Sequence, residues 1–222
     1  MMMMQEFTLW NIIQNLLNGL GWSLLLSLMV FVLGGLCGLL VLMLRINPDP
    51  ILQKVAVVYI EFFQGTPLLI QLFMTFFGLS LLGIDISPWA AAAFSLTAYA
   101  AAYFAEIWRG CVQAIPSGQW EAAASLAMTR LQQFRYVILP QATRIAIAPT
   151  VGFSVQIVKA TAVTSIIGFT ELTKTGSVLA NATFEPFLVF GLVAIGYFIL
   201  CYPLSALAAY LEKKLHGSAS HS

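Results

Sequence analysis

EAAASLAMTRLQQFRYVILP, residues 121–140, is a polar, charged stretch inside a chain that is otherwise mostly apolar. It opens with Glu121-Ala122-Ala123 and closes with Val137-Ile138-Leu139-Pro140. Two short helices carrying Arg130 and Arg135 fit it, and both are too polar to span lipid. Ser117 can cap the first helix. Glu121, near its start, favours the positive end of the helix dipole. Ala122, Ala123 and Ala124 leave a smooth surface that another protein can approach closely. Pro140 is expected to stop or redirect the chain before the next apolar run. A helix-rich loop displayed by a membrane protein reads as a docking surface. The plainer alternative is an interfacial loop with good helix propensity.

The rest of the chain sets the solvent. Of 222 residues, 60% are hydrophobic and 9% charged, with a mean hydropathy of +0.90. A soluble domain carries about 25% charged residues, so so few charges cannot cover a soluble surface and lipid must serve instead. The net charge of +1 comes with no basic patch, so nucleic acid is not an expected partner. Cys37, Cys111 and Cys201 lie far apart, with no CxxC spacing, and read as small core residues. No basic n-region precedes an apolar core near the start, so no cleavable signal peptide is expected. Both histidines, His216 and His221, sit in the tail. No HExxH, GxSxG or paired carboxylate cluster is present, so no catalytic residue and no metal ligand is expected. Without GxxxxGK[ST], ATP cannot be held here by a P-loop, and energy must come from another chain.

A membrane span needs about 20 apolar residues. Five are expected, at 20–44, 55–82, 89–108, 145–165 and 187–210, making this an all-α integral membrane protein. The second is longer than a bilayer requires and is expected to tilt or overrun it. Residues 1–19 read as an N-terminal interfacial helix, with Phe7, Trp10, Ile13 and Leu17 at helical spacing. Residues 20–212 form the transmembrane domain, with a cytoplasmic loop at 117–140, and residues 213–222 form a polar tail. Arg45, Lys54, Arg109, Arg130, Arg135, Arg144, Lys213 and Lys214 all fall on one side if five spans alternate. The positive-inside rule then places the N-terminus outside, and the C-terminus and the 117–140 loop inside.

Polar groups within lipid default to functional hypotheses. Glu61, Gln64 and Thr66 sit in the second span, and Gln71 is read as two turns beyond Gln64 on the same helical face. Gln156, Lys159, Thr161 and Thr164 lie in or near the fourth span. Lys159 facing a cavity would attract a carboxylate; pairing with Glu61 or a carbonyl is the equal alternative. Thr161 and Thr164 fit pathway lining or helix packing alike. Glu106 and Arg109 are read as a local ion pair. Gly34-Gly35-Leu36-Cys37-Gly38 reads as a close-packing stripe.

Four segments carry a family resemblance. Gln64-Gly65-Thr66-Pro67-Leu68-Leu69-Ile70-Gln71 resembles the RGTPLLVQ segment of polar amino-acid permeases. Ala98-Tyr99 through Glu106-Ile107-Trp108-Arg109-Gly110 resembles their AYxxAYxAEIxRG segment. Ile115-Pro116-Ser117-Gly118-Gln119 leads into a stretch similar to their EAA loop. Lys159-Ala160-Thr161-Ala162-Val163-Thr164-Ser165-Ile166-Ile167-Gly168 resembles KDTSLxSVIG. Together they span roughly residues 20–210. The resemblance is to the permease subunit of a polar amino-acid ABC importer, in the family of histidine and glutamine permeases.

It implies a type I ABC-importer transmembrane fold in a bacterial inner membrane. It also implies two ABC ATPase subunits carrying ATP and Mg, a second permease copy or paralogue, and a periplasmic substrate-binding protein. Glu121, Ala122, Ala123, Ala127, Arg130, Leu139 and Pro140 become the ATPase-coupling residues. Glu61, Gln64, Thr66, Gln71, Gln156, Lys159, Thr161 and Thr164 become substrate-pathway candidates. This chain itself would hold no cofactor. Four positions depart from the family pattern. Its loop glycine is Ala127, its RGTP arginine is Gln64, and its KDTS aspartate and serine are Ala160 and Ala162. Losing that aspartate removes a countercharge for a cationic substrate. Ala127 favours helix over glycine but disfavours a left-handed turn. The competing functions are a secondary carrier, a non-transporting scaffold and an intramembrane enzyme.

Overall fold

The computed structural model describes residues 8–216, and every regular element among them is helical. The order is α1 (Leu9–Arg45), α2 (Pro50–Gly65), α3 (Leu68–Phe73), α4 (Leu79–Leu81), α5 (Pro88–Gln113), α6 (Ser117–Ser125), α7 (Arg130–Gln132), α8 (Leu139–Thr161), α9 (Leu172–Thr183) and α10 (Pro186–His216). A π-helical turn, Met74–Gly78, joins α3 to α4, and another, Gln133–Ile138, joins α7 to α8. A 3-10 segment, Ala162–Ile167, extends α8.

Local chemistry starts these helices where they start. Thr8, Asp49 and Ser87 each accept a hydrogen bond from the first turn of α1, α2 and α5. Such caps satisfy amide donors that have no partner within the helix. Pro50 and Pro88 follow two of them in the first turn, where a missing N–H is harmless.

Four helical stretches are long and apolar enough to cross a membrane: Leu9–Arg45, Pro88–Gln113, Arg130–Ile167 and Pro186–Leu215. The fifth expected span is broken. Pro50–Gly65 and Leu68–Leu81 meet at an angle of 104°, and counting the pair as one span gives five. Gly65-Thr66-Pro67 causes the break: Thr66 is extended (φ −116°, ψ 143°), and Pro67 has no N–H to continue the ladder. The same-face relation expected of Gln64 and Gln71 assumed an unbroken helix and does not hold.

Helix α1 runs without interruption across position 19, so residues 9–18 of the expected interfacial helix share one helix with the first expected span; residues 1–7 lie outside the described residues. At about 1.5 Å per residue, its 37 residues reach about 55 Å, well past a ~30 Å hydrocarbon core. Pro140 does not stop the chain. It occupies the first turn of α8, and the wide π-turn before it accommodates the missing donor, so Arg130–Ile167 is one continuous helical stretch.

The core forms where α1 meets α5. A Cβ on Gly34 would lie 2.7 Å from the Ala100 Cβ, and one on Gly38 would lie 2.8 Å from that of Phe104. The glycine stripe therefore brings the two backbones together, as read from the sequence. Phe104 is fully buried and makes edge or stacked contacts with Phe31, Trp108 and Phe153. Large apolar side chains on the other faces, among them Leu36, Leu40, Met43, Phe198 and Ile199, are exposed, as lipid-facing groups must be. Of the cysteines, Cys111 is buried, whereas Cys37 is exposed and not a core residue.

Candidate functional site: the 117–140 loop and the polar spans

The loop is a packed unit. Helix α6 starts after Pro116, so Ser117 is its first residue and not its cap. At its other end, Ala127 N donates to Ala124 O (2.9 Å) and Met128 N to Ala123 O (3.3 Å). With Ala127 at φ 54°, this is a Schellman turn built on alanine in the left-handed region. The loop departure from glycine thus falls at the position where glycine would be strain-free.

Thr129 and Gln132 then form a reciprocal capping box for α7. Gln133 Nε2 donates to Met128 O (2.8 Å), and Gln141 Nε2 bridges to Gln119 Oε1 (3.2 Å), tying α8 to α6. Beneath them Ile115, Ile138 and Ala142 pack with Trp120 and Phe134.

Of the coupling candidates, Glu121, Ala122, Ala127, Arg130, Leu139 and Pro140 are exposed, and Ala123 is buried beneath α6. Two residues not singled out from the sequence stand beside them: Leu126 is 77% exposed and Leu131 74% exposed. Their apolar side chains flank the Ala127 turn at the end of the bundle where α1, α5 and α10 finish. That end gathers Arg45, Lys54, Arg109, Arg130, Arg135, Arg144, Lys213 and Lys214. Within α5, the Arg109 guanidinium grips Glu106 and donates to Gln113 Oε1 (2.6 Å). Arg45 of α1 lies 3.8 Å from the same carboxylate. The expected local ion pair is thus also an α1–α5 link.

The pathway candidates divide into two groups. Glu61, Gln64, Gln156 and Lys159 are exposed on the single chain, and no Lys159–Glu61 ion pair forms among the described residues. Gln71, Thr161 and Thr164 are buried at 6%, 0% and 0% exposure. Gln71 braces the break: its Nε2 donates to Phe63 O (2.9 Å), Thr66 O (3.1 Å) and Thr66 Oγ1 (2.9 Å). Thr66 is partly buried and donates to Phe62 O (2.7 Å). Thr161 and Thr164 donate to carbonyls three residues back, Val158 O (2.8 Å) and Thr161 O (2.6 Å). In this chain these buried side chains hold the backbone together and do not line a surface.

Sequence reasoning missed Glu171, which is fully buried. It caps α9 through the amides of Thr173 and Lys174, both at 2.8 Å. Burial pushes its pKa above the usual carboxylate value, and the hydrogen bonds it accepts pull the other way. The available signal was an acidic residue directly ahead of the helix-compatible stretch that begins at Leu172, the position of a side-chain cap.

A chain of this architecture, with a packed loop between its third and fourth crossings, can be compared with known proteins. Residues 31–217 match the family described as "binding-protein-dependent transport system inner membrane component". The chain belongs to this family. It is 33% identical to a probable amino-acid ABC transporter permease protein of Bacillus subtilis (strain 168), over 89% of this chain and 88% of that one. It is 32% identical to the glutamine transport system permease protein of Escherichia coli (strain K12), over 93% and 95%. A crystal structure of an amino acid ABC transporter with histidines superposes with a TM-score of 0.88 at 33% identity, covering 90% of this chain and 94% of that one. A methionine ABC transporter in an inward-facing conformation shares the fold at a TM-score of 0.69 and 22% identity. The protein is a multi-pass membrane permease with the type I ABC-importer transmembrane fold.

Proposed function

We propose that this chain is the translocating subunit of an ATP-driven importer of a polar amino acid in a bacterial inner membrane. The observation that carries the reading is the 117–140 loop: a rigid element tipped with exposed Leu126 and Leu131 at the basic end of the bundle. The basic end faces the cytoplasm by the positive-inside rule, with the N-terminus outside. Exposed apolar groups rimmed by charge are the chemistry of a protein interface. Two ATPase subunits, holding ATP and Mg, would each receive one such loop.

Glu61, Gln64, Gln156 and Lys159 are polar groups of the spans left exposed on a single chain. Polar side chains at membrane depth face a bundle interior or a water-filled cavity, which supports a second permease subunit, identical or paralogous. A binding protein would deliver substrate from the other side. The amino-acid class follows from the names of the similar permeases. Ala160, standing where the similar segment has aspartate, disfavours a cationic side chain on the substrate.

The test is Glu121→Lys in the complex of this chain with its cognate ATPase. Reversing a charge at a docked interface leaves it unpaired, so transport is expected to be lost or uncoupled from ATP hydrolysis. Unchanged assembly and transport would remove the docking assignment.

A further inference from the structure

The end of the bundle opposite the 117–140 loop carries a buried polar cluster that the transport reading does not use. Glu171 Oε2 accepts from Tyr197 Oη (2.7 Å) on α10 and from Ser23 Oγ (3.4 Å) on α1, besides the Thr173 amide. Ser23 Oγ also accepts from Leu172 N (3.2 Å), and Thr173 Oγ1 lies 2.9 Å from Tyr197 Oη. One carboxylate therefore joins the start of α9 to α1 and α10, through partners 148 and 26 residues away in sequence.

Close packing surrounds it. A Cβ on Gly19 would lie 2.6 Å from Thr175 Oγ1, one on Gly176 would lie 2.5 Å from Val193 Cγ2, and one on Gly196 would lie 2.9 Å from Leu172 Cδ2. Helices α1, α9 and α10 are thus locked as one body at this end.

What enters this body is the continuation of α8. The helical stretch Arg130–Ile167 runs from the loop through the 3-10 segment, with a π-turn at Gln133–Ile138 and Pro149 inside α8. Gly168 follows at φ 89°, with nothing within 4 Å of where a Cβ would stand. Three residues later the chain is clamped at Glu171. The geometry is a lever, a left-handed glycine turn in which Gly168 N donates to Ser165 O and Phe169 N to Thr164 O, and an anchor. The loop sits at one end of the lever, and the exposed Gln156 and Lys159 sit near the other.

We propose that Glu171 is a positioning residue for translocation: with Ser23 and Tyr197 it anchors the chain that follows Gly168, so that loop motion carried by α8 and its 162–167 extension turns at Gly168 and does not drag α9 with it. The inference rests on the transport reading above. Losing the anchor would let α9 follow the lever, and work done at the loop would not reach the substrate. Binding of the delivered substrate would persist, because Glu171 is buried and touches none.

The test uses the assembled complex in proteoliposomes with wild type, Glu171→Gln and Tyr197→Phe. Glutamine keeps the size but puts an amide donor against one of the donors that now bind the carboxylate. Phenylalanine removes one hydroxyl. Uptake per ATP hydrolysed is expected to fall about tenfold in Glu171→Gln and about threefold in Tyr197→Phe, the scale of an ordinary lost hydrogen bond. KM for the delivered substrate and ATPase assembly should not change.

In parallel, hydrogen exchange of residues 169–174 should rise in both variants while that of α5 stays constant. If Glu171→Gln does not assemble, Tyr197→Phe decides. Wild-type uptake per ATP in both variants, or unchanged exchange at 169–174, overturns the anchor. A wild-type complex that moves no amino acid overturns the transport reading instead, and the exchange measurement then still decides whether the anchor exists.

Discussion

Ala127→Gly should stabilise the 117–140 loop, and the size of the gain follows from its turn. Ala127 sits at φ 54°, where an L-residue with a Cβ is disfavoured by about 1–2 kcal/mol. Glycine relieves that strain but adds freedom to the opened chain, which offsets about 0.4–1 kcal/mol. The net gain is about 0.5–1 kcal/mol, or about a two- to fivefold lower opening equilibrium. The assay is hydrogen exchange on the purified chain, read at the Met128 amide. That amide bonds to Ala123 O at 3.3 Å only while the turn is closed. Ala127→Val should act oppositely, because a β-branched side chain tolerates this region least. An unchanged or reduced Met128 protection in Ala127→Gly would show that the left-handed turn is not the determinant of loop closure.

Three other substitutions probe other links. Gly38→Ala places a Cβ 2.8 Å from that of Phe104; overpacking of about 1–3 kcal/mol should lower the melting temperature in detergent. Gly21→Ala meets nothing within 4 Å and should leave it equal or higher. Gln71→Leu keeps the volume but strands Phe63 O and Thr66 O; about 1–3 kcal/mol per stranded group should appear as faster exchange across residues 62–71. Lys159→Ala should weaken the apparent substrate affinity while leaving ATPase binding intact under the proposal that this exposed ammonium attracts the substrate carboxylate; unaltered uptake kinetics would refute its pathway role.

Hydropathy found five crossings, because burial in lipid demands long apolar runs and little else produces them. The loop was equally legible: a charged 20-residue stretch cannot sit in hydrocarbon, and its helix formers show a helix directly. The glycine stripe at 34–38 predicted close packing, and the contacts at Ala100 and Phe104 bear it out. What failed was geometry at a distance. Gly65-Thr66-Pro67 signals a weak point, but not that the chain turns by 104° there, and so the shared helical face of Gln64 and Gln71 was misplaced. Pro140 signals a break, yet a π-turn absorbed it. Thr161 and Thr164 satisfy their own helix, a choice that hydroxyl-bearing residues leave open. Glu171 was invisible because its partners, Ser23 and Tyr197, come from the first and last helices, and no local pattern brings them together.

The account turns most directly on uptake by proteoliposomes holding this chain with its cognate ATPase and binding protein, challenged with a panel of labelled amino acids with and without ATP on the loop side. Uptake of a polar amino acid that requires ATP is the predicted result. Uptake that proceeds without ATP, or none from an intact complex, would contradict it.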